Sequence, residues 1–306
     1  MLAKLKSYHK TALGASYLGD SIKLIKNIED KSINLILTSP PFALTRKKEY
    51  GNKSSEEYVD WFLDFAIEFK RILAKDGSLV IDLGGAYLPG RPVRSIYQYE
   101  LLTRLCKETG FFLAQEFFHY NPARLPAPAE WVNVRRIRVK DSINLVFWLS
   151  TTEFPKADNK RVLKPYSKSM ELLLKNGYKA KLRPSGHDIS DNFSKNNDGA
   201  IPPNLLTIAN TESNSFYLRR CKETGIKSHP ARFPAEFADF FIKFLTDEND
   251  TVFDPFAGSN TTGFVAETLG RKWIAFELSE EYLRGGKLRF EEAPNLFSQF
   301  IRDGSA

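Results

Sequence analysis

Cysteine is scarce in this sequence. Only Cys106 and Cys221 are present among 306 residues, and they lie far apart and outside any C-x-x-C spacing. A disulfide framework and a cysteine-based zinc site are therefore not indicated, and we expect no metal. So few cysteines are typical of a protein from a reducing cytoplasm.

Long apolar runs are also missing. No run of about 18 apolar residues could span a bilayer, and the first residues, MLAKLKSYHK, lack the apolar core of a signal peptide. No repeat at the spacing of solenoids or propellers is evident. We therefore expect a soluble protein that resides in the cytoplasm.

Positive charge is what the sequence has in excess. It contains 44 Lys and Arg against 37 Asp and Glu, which gives a net charge of +7 and a pI near 9.2. This balance favours a polyanionic partner, although many basic enzymes never bind nucleic acid. With 42% hydrophobic residues, the chain can form one large core, and we expect a single core that carries an insertion.

Short apolar runs alternate with helical patterns in the first third of the chain, which is typical of a parallel sheet covered by helices. The pattern predicts a buried strand over 33–38. A capping box at Ser54 predicts a helix that continues to about Leu73, and Gly77 is expected to turn the chain into the next strand.

The middle of the chain departs from this alternation. A helix over 95–109 is followed by two β-rich runs, 111–119 and 142–149, which we expect to pair as an antiparallel edge. Residues 151–215 lose their periodicity and are rich in Lys, Asn, Ser, Pro and Gly, as expected of a loop-rich insertion. Pro234 then opens a helix, and strand, helix, strand and helix follow.

A glycine turn follows the strand predicted near the end of the chain. TVFDPF runs into AGSNTTG, residues 257–263, at the carboxyl edge of the sheet, where open α/β folds bind ligands. G-x-G-x-x-G is absent, and Phe264 stands where a phosphate-binding P-loop needs lysine. The next strand ends at Glu277, whose carboxylate can accept hydrogen bonds from both hydroxyls of a ribose. An adenosine ligand without phosphates fits, and an ordinary turn is the alternative.

The strand over 33–38 ends in a rigid polar loop, Thr38-Ser39-Pro40-Pro41-Phe42. Two prolines forbid a helix and fix an extended backbone whose carbonyls can act as acceptors. The Ser39 hydroxyl and the Ser39 or Pro40 carbonyl can hold both hydrogens of a base amino group, so that its lone pair faces a methyl donor. Such a base must flip out of the duplex, and Phe42 can offset part of that cost by stacking. Taken alone, the same residues are usually a plain turn.

TSPPF upstream of FDPFAGSNTTG resembles the beta group of amino-methyltransferases, in which the catalytic motif precedes the cofactor motif. SPPFALTRKKEYGN, EYVDWFLDFA, RPSGHDI, IPPNLL and SHPARFPAEF are similar to the PvuII-type cytosine-N4 DNA methyltransferases along nearly the whole chain. The resemblance implies a Rossmann-like, circularly permuted methyltransferase fold with a mostly parallel, seven-stranded sheet. It also implies a catalytic half, 1–150, a target-recognition insertion, 151–215, and a cofactor-binding half, 216–306.

The resemblance assigns roles by position. The expected S-adenosylmethionine-binding residues are Asp20, His229, Pro230, Asp254, Pro255, Phe256, Gly258, Ser259, Asn260, Thr261 and Glu277. Asp20 is also an ideal N-cap for the helix that follows it, and it could serve both purposes. The start of a helix at Pro234 explains part of the match around His229.

The expected catalytic residues are Ser39, Pro40, Pro41, Phe42 and Asp82. Asp82, at the carboxyl end of a predicted strand, is the best candidate to take the proton that the methylated amine loses, alone or through Ser39. A hydrogen-bonded structural role for Asp82 is an equal alternative. A structural or solvated role is favoured for His119.

Basic residues supply the candidates for contact with double-stranded DNA. They are Arg135, Arg136, Arg138, Lys140, Lys181, Arg183 and His187. The alternative for the cluster from Arg135 to Lys140 is a solvated loop. His187 is a weak candidate, because a solvated or structural role is favoured for it.

Together these features predict a site-specific DNA methyltransferase that acts on cytosine N4 with S-adenosylmethionine and protects bacterial DNA from a cognate restriction endonuclease. Similarity suggests a CAGCTG-like site as a hypothesis. We expect a monomer that forms no stable complex with the endonuclease. Cytosine-C5 chemistry is excluded, because neither cysteine follows a proline.

Three alternatives remain open from the sequence. The first is adenine-N6 methylation, whose motif usually begins with Asp or Asn where Ser39 stands here. The second is a catalytically silent DNA-binding protein, favoured by the basic insertion and opposed by the two intact loops. The third is methylation of RNA or a small molecule, which leaves the insertion over 151–215 unexplained.

Overall fold

The computed structural model describes residues 5–42, 55–177, 195–210, 215–232 and 234–291. The strands are β1 (His9–Lys10), β2 (Gly14–Leu18), β3 (Ile33–Thr38), β4 (Leu73–Leu83), β5 (Phe112–Tyr120), β6 (Ile143–Ser150), β7 (Leu205–Thr207), β8 (Thr251–Asp254) and β9 (Lys272–Glu277). The helices are α1 (Ser21–Leu24), α2 (Ser55–Ile72), α3 (Tyr97–Glu108), α4 (Lys168–Asn176), α5 (Phe216–Glu223), α6 (Ala235–Leu245), α7 (Thr261–Thr268) and α8 (Glu280–Lys287).

The chain forms two compact units. The first contains residues 1–157 and 204–306, and the second contains residues 158–203. In the second unit, helix α4 begins after Ser167, whose hydroxyl accepts a hydrogen bond from the backbone N–H of Met170. Lys164 and Ala200 exchange two backbone hydrogen bonds, so the chain enters and leaves this unit at neighbouring points.

The strands of the first unit form one mixed sheet in the order β1-β2-β9-β8-β3-β4-β6-β5-β7. Neighbouring strands are parallel from β2 to β4, whereas β6 runs antiparallel to both β4 and β5. The predicted α/β class is confirmed, and so is the antiparallel pairing of β5 with β6, although β7 and not β5 forms the edge of the sheet. The last two strands of the chain, β8 and β9, lie between β2 and β3, as a permuted order requires.

The expected count of seven strands is wrong, because the described residues form nine. The two additional strands lie at the edges of the sheet. The two-residue strand β1 pairs antiparallel with β2, and the three-residue strand β7 pairs parallel with β5. Strands this short contain too few residues to produce an alternating apolar pattern, so the sequence did not reveal them.

Strand β4 begins earlier than the sequence predicts. It starts at Leu73, and its register with β3 is irregular between the pairs Ile33–Leu73 and Leu35–Ser78. Gly77 lies within this irregularity, where a Cβ would come within 3.0 Å of the Ala74 nitrogen. The glycine therefore permits a close backbone approach inside the strand instead of a turn before it.

Helices cover both faces of the sheet, because alternate residues of the central strands point in opposite directions. Leu79 and Ile81 of β4 belong to the hydrophobic cluster that contains residues of α2 and α3. Val80 belongs to the cluster that contains residues of α6 and α7. Among the described residues, no helix has the length and apolar composition needed to cross a membrane.

Candidate active site

A cleft of about 430 Å³ lies where β3, β4, β8 and β9 end, a volume typical of small-molecule sites. The expected residues that line it are Asp20, Ser39, Pro40, Pro41, Phe42, Asp82, His229, Pro255, Phe256, Gly258, Ser259, Thr261 and Glu277. Pro230, Asp254 and Asn260 lie outside this lining. The cleft therefore brings the two predicted loops together although more than 200 residues separate them in sequence.

Ser39 and Asp82 meet at one end of the cleft. The Ser39 hydroxyl donates to Asp82 Oδ2 at 3.3 Å and lies 3.4 Å from the Asp82 carbonyl oxygen. Asn144 Nδ2 donates to the same carboxylate oxygen at 3.2 Å. Because the hydroxyl donates its single proton to Asp82, the lone pairs of the Ser39 oxygen remain available to accept.

His119 extends this arrangement on the buried side. Its Nδ1 lies 3.8 Å from Asp82 Oδ1, and both side chains are nearly inaccessible to solvent. Neither ring nitrogen of His119 nor Asp82 Oδ1 has a hydrogen-bond partner among the described residues. The ring also packs against Phe237, with a centroid distance of 5.0 Å. Residues 119 and 144 are directly opposite in the β5–β6 pair, which explains why both reach Asp82.

Phe42 packs against the carboxyl end of β4. A Cβ on Gly84 would come within 2.5 Å of the Phe42 ring, so glycine is required for this approach. The Phe42 side chain is half-buried and contributes to the cleft wall. Its ring is thereby held beside Ser39 and Asp82 by the backbone of a neighbouring strand.

Asp254 is the last residue of β8 and precedes the loop that leads into α7. Its carboxylate accepts hydrogen bonds from the hydroxyls of Thr38 and Thr262, each at 2.8 Å, and from the backbone N–H of Phe256 at 3.0 Å. Burial raises the pKa of Asp254 to about 6, although these three hydrogen bonds act in the opposite direction. The geometry gives Asp254 the role of fixing β3, the loop and α7 to one another.

Glu277 faces the cleft from the end of β9. Its two carboxylate oxygens accept hydrogen bonds from the backbone N–H groups of Gly258 and Ser279, both at 2.8 Å. Burial raises the pKa of Glu277, and the backbone hydrogen bonds oppose that shift. The backbone of Leu278 also bonds to this carboxylate, and of its roughly four acceptor positions one remains for a ligand hydroxyl.

Gly258 and His229 pack closely at the same end. Gly258 has a φ of +51°, and a Cβ there would meet the His229 ring at 3.1 Å. The backbone N–H of His229 donates to the Tyr217 hydroxyl at 3.0 Å, and burial raises the pKa of Tyr217 to about 12. The ring of His229 is edge-on to Tyr282. The segment around His229 is thus fixed against the loop.

Asp20 caps helix α1, as expected: its Oδ1 accepts from the Ile22 backbone N–H at 3.2 Å. The same carboxylate lines the cleft, so the capping bond is compatible with a ligand contact. Asn260, at φ +55°, accepts from the Gly263 N–H and caps α7. Pro230 is exposed.

The basic candidates that the structure describes, all within 135–140, lie away from the cleft lining. Arg135 pairs with Glu130 at 2.9 Å and stacks on Trp131, and Arg138 donates to the carbonyls of Ile137 and Pro92. Lys140 donates to the carbonyls of Pro122 and Arg124. The Arg136 side chain is exposed. Lys181, Arg183 and His187 lie outside the described residues.

Several cleft residues were not singled out from the sequence. They are Trp61, Phe65, Asn121, Arg124, Asn144, Asn210, Arg232 and Leu278. Asn144 lies in β6, and only the register of the β5–β6 pair reveals its approach to Asp82. Arg124 follows β5 and donates to Asn144. Trp61 and Phe65 lie on α2, and their rings pack against Phe256.

The Glu277 end of the cleft fits an adenosine-type ligand. A carboxylate with spare acceptor capacity suits a ribose, and Phe256 and the largely exposed Leu278 offer apolar surface for a base. Gly258 leaves room that a side chain would fill. The position of these groups in one cleft with Ser39 is the arrangement that a group transfer to a second substrate needs.

Known proteins are similar to this chain in sequence and in fold. A family model described as DNA methylase matches residues 33–288. The chain is 55% identical over 288 residues to the type II methyltransferase M.PvuII of Proteus hauseri, covering 93% of this chain and 86% of that protein.

Solved structures agree with that relationship. The PvuII DNA methyltransferase (cytosine-N4-specific) superimposes with a TM-score of 0.77 at 46% identity, covering 97% of this chain and 94% of the other. The complex of M1.HpyAVI with S-adenosylmethionine gives a TM-score of 0.54 at 18% identity, with 92% and 100% covered, and so shares the fold.

Proposed function

The chain belongs to the DNA methylase family, and we propose that its cleft methylates the N4 amino group of a cytosine flipped out of duplex DNA. The observation that carries this proposal is the hydrogen bond from Ser39 to Asp82 at the end of β3, in the same cleft as Glu277 and Gly258. The chain is a cytosine-N4 DNA methyltransferase, and adenine N6 is the less favoured target.

The cofactor is S-adenosylmethionine, which supplies an electrophilic methyl group when bound. Glu277 would hold the ribose hydroxyls of the cofactor, and Asp20 would contact its adenine base. Gly258, Ser259 and Thr261 leave the loop open to the ligand, while His229 borders it. Asp254 and Asn260 support the loop without lining the cleft, because their side chains form hydrogen bonds within the protein, at the loop and at the start of α7.

At the other end, Ser39 orients the cytosine amino group. Its hydroxyl oxygen accepts one amino hydrogen while the hydroxyl proton stays on Ser39 and is donated in the hydrogen bond to Asp82, and the Pro40 carbonyl accepts the second. The nitrogen lone pair then points out of the base plane toward the methyl donor. After transfer, the positively charged amine loses a proton to Asp82, directly or through Ser39.

Phe42 stabilises the flipped base. Extraction of a base from the duplex costs a few kcal/mol, and stacking on an aromatic ring returns about 1 to 3 kcal/mol. The ring is already fixed against Gly84 in the free protein, so little side-chain entropy is lost when a base stacks on it.

Outside the cleft, the proposal assigns DNA contact to the basic residues and target recognition to 151–215. Residues 1–150 and 216–306 are then the catalytic and cofactor halves of one core. A CAGCTG-like site, a monomeric state, location in a bacterial cytoplasm and pairing with a restriction endonuclease without a stable complex complete the proposal.

The decisive experiment identifies the methylated nucleoside. The protein is incubated with radiolabelled S-adenosylmethionine and unmethylated plasmid, and the DNA is digested to nucleosides. Label in N4-methylcytosine is the expected result. Label in N6-methyladenine would overturn the target base, and cofactor binding without labelled DNA would indicate a silent DNA-binding protein or a non-DNA substrate.

A further inference from the structure

Arg124 is a cation at the catalytic end of the cleft that the proposed transfer does not use. It follows β5, its side chain is half-buried, and it lines the cleft together with Ser39 and Asp82. The backbone N–H of Arg124 donates to the Asn121 carbonyl at 3.2 Å, and the Arg124 carbonyl accepts from Lys140 Nζ at 3.2 Å. The backbone that carries this guanidinium is therefore held on both sides.

The side chain is connected to the catalytic pair through Asn144. Arg124 Nη1 donates to Asn144 Oδ1 at 3.0 Å, and Asn144 Nδ2 donates to Asp82 Oδ2 at 3.2 Å. The amide of Asn144 is thus oriented by a cation on one side and an anion on the other. This chain fixes the direction of the guanidinium relative to Ser39.

The guanidinium has donors left for a ligand. It carries five N–H donors, and among the described residues its side chain donates to Asn144. The other arginine in the cleft lining, Arg232, donates to the His229 carbonyl and so belongs to the cofactor end. Within the described lining, Arg124 is therefore the arginine that is linked to Ser39, through Asn144 and Asp82.

The two candidate bases differ along the edge that carries the amino group. In cytosine the amino group is followed by two acceptors, N3 and O2. In adenine it is followed by one acceptor, N1, and then by a C–H. A guanidinium offers two parallel donors, which match the pair of cytosine acceptors and leave one donor unpaired against adenine.

We propose that Arg124 determines the target base by donating hydrogen bonds to N3 and O2 of the flipped cytosine. This inference rests on the proposed function and adds the residue that selects its substrate. A polar site that loses its partner leaves a desolvated donor unpaired, and a bidentate contact of this kind is worth about 1 to 3 kcal/mol of discrimination. Arg124 is then a specificity residue, and Asn144 is the residue that positions it.

The test compares two substrates with two proteins. Duplexes carry either cytosine at the target position or a 2-aminopyridine C-nucleoside, which keeps the amino group and the adjacent ring nitrogen but has carbon in place of N1 and C–H in place of the O2 carbonyl. We measure kcat/KM for the wild type and for Arg124→Met. We expect the wild type to prefer cytosine about 10- to 100-fold. In Arg124→Met that preference should fall to within about twofold, because the variant has no donor for O2.

Arg104→Met is the matched control. Arg104 lies on α3, forms ion pairs with Asp60 and Glu108, and is absent from the cleft lining. Its substitution should leave the preference for cytosine unchanged. Arg124→Lys, which keeps the charge and loses the planar fork, should also lose most of the preference, and thermal unfolding of each variant reports whether it is folded.

The outcomes separate this inference from the proposed function. If the wild type methylates cytosine and the analogue equally, or if Arg124→Met retains the full preference, the role of Arg124 is overturned while the enzyme remains a cytosine methyltransferase. If the wild type methylates neither, the proposed function fails and this inference fails with it. A loss of rate in Arg124→Met that is equal for both substrates would assign Arg124 to positioning Asp82 alone.

Discussion

Ser39 combines two tasks in one hydroxyl group, since it donates to Asp82 and can accept from the substrate. Ser39→Ala removes both tasks without altering the shape of the strand end. We predict that turnover falls by about 100-fold, the scale of a lost acid–base or orienting contact, while the Kd for S-adenosylmethionine stays within about twofold.

Steady-state kinetics and calorimetry check that prediction. Ser32→Ala is a suitable control, because Ser32 is exposed just before β3 and its hydroxyl bonds to the carbonyl of Glu29. Unchanged turnover in Ser39→Ala would remove Ser39 from the catalytic residues. Weaker cofactor binding in that variant would show that the two ends of the cleft are not separable.

Asp254 makes stability depend on pH. Its pKa is raised from 3.8 to about 6 by burial, so the folded state favours the protonated form. That contribution is fully present below pH 3.8 and is lost as pH rises through about 6, with a size on the order of 3 kcal/mol. In Asp254→Asn the contribution is absent at every pH.

We therefore predict that the unfolding free energy of Asp254→Asn, measured relative to the wild type, rises by up to about 3 kcal/mol between pH 4 and pH 7. Urea denaturation at several pH values measures this difference, in which the other titrating groups cancel. Glu248→Gln, an exposed acid in the loop before β8, is the control. A flat difference for Asp254→Asn would mean that the carboxylate is equally stable in both states.

Residue roles were only partly predictable from sequence. The strand-end positions of Ser39, Asp82 and Glu277 place them at one edge of a parallel sheet, and the cleft contains all three. Asn144 could not be predicted, because it reaches Asp82 through the register of an antiparallel pair, and Arg124 could not be predicted because it contacts Asn144 from the segment after β5. The orientation of the Asp254 side chain could not be predicted either, because a position at a strand end does not determine whether the side chain faces the cleft.

The loop between β8 and α7 depends on the backbone of Gly258. Its φ is +51°, and the His229 ring lies 3.1 Å from the position that a Cβ would take, so no space is left for a side chain. Gly270 offers a matched comparison, because its φ is +74° and nothing lies within 4 Å of its Cβ position.

Gly258→Ala and Gly270→Ala should each lose about 1 kcal/mol of stability through the positive φ. We predict that only Gly258→Ala weakens S-adenosylmethionine binding, by at least about tenfold, because His229 must move into the cleft. Calorimetry on both variants decides the matter. Equal affinities would mean that the loop adapts to a side chain and that His229 does not border the ligand.

The basic segment between β5 and β6 has a different kind of role. Arg135 is paired with an exposed glutamate and Arg136 is exposed. Both guanidinium groups can therefore leave their present partner or solvent and bind DNA phosphates at little cost in free energy. We predict that replacing both by Ala weakens binding to all duplex sequences and reduces the slope of log K against log salt by about 2. Fluorescence anisotropy over a salt series measures the slope. An unaltered slope would make the cluster a solvated face.

Element positions were predictable wherever a pattern was long enough. The strand over 33–38 and the helix opened by Pro234 occur as expected, because each has a full apolar period and a clear boundary residue. Gly77 was expected to turn the chain into a strand and instead lies within β4, because a glycine is as suitable for a close backbone approach as for a turn.

At the scale of the whole molecule, the hydrophobic core excludes the second unit. None of the buried residues that form the three described hydrophobic clusters belongs to 158–203. The loss of hydrophobic periodicity after residue 151 had predicted that this part of the chain does not join the core. The sequence could not give the edge strand β7, which resumes the sheet at Leu205, immediately beyond that unit.

This separation leads to a prediction about excision. Lys164 and Ala200 are already joined by two backbone hydrogen bonds, at 2.9 and 2.8 Å, so a two-glycine link can replace residues 165–199 without stretching the chain. Because the core clusters remain complete, the shortened protein should unfold cooperatively and bind S-adenosylmethionine within about threefold of the wild-type Kd. Without the insertion it should lose site-specific methylation of plasmid DNA, since base readout requires side chains placed in a groove. Sequencing of the methylated positions separates the cases: retained methylation at the wild-type site would move target recognition out of 151–215 and onto the core, whereas loss of cofactor binding would show that the second unit supports the cleft.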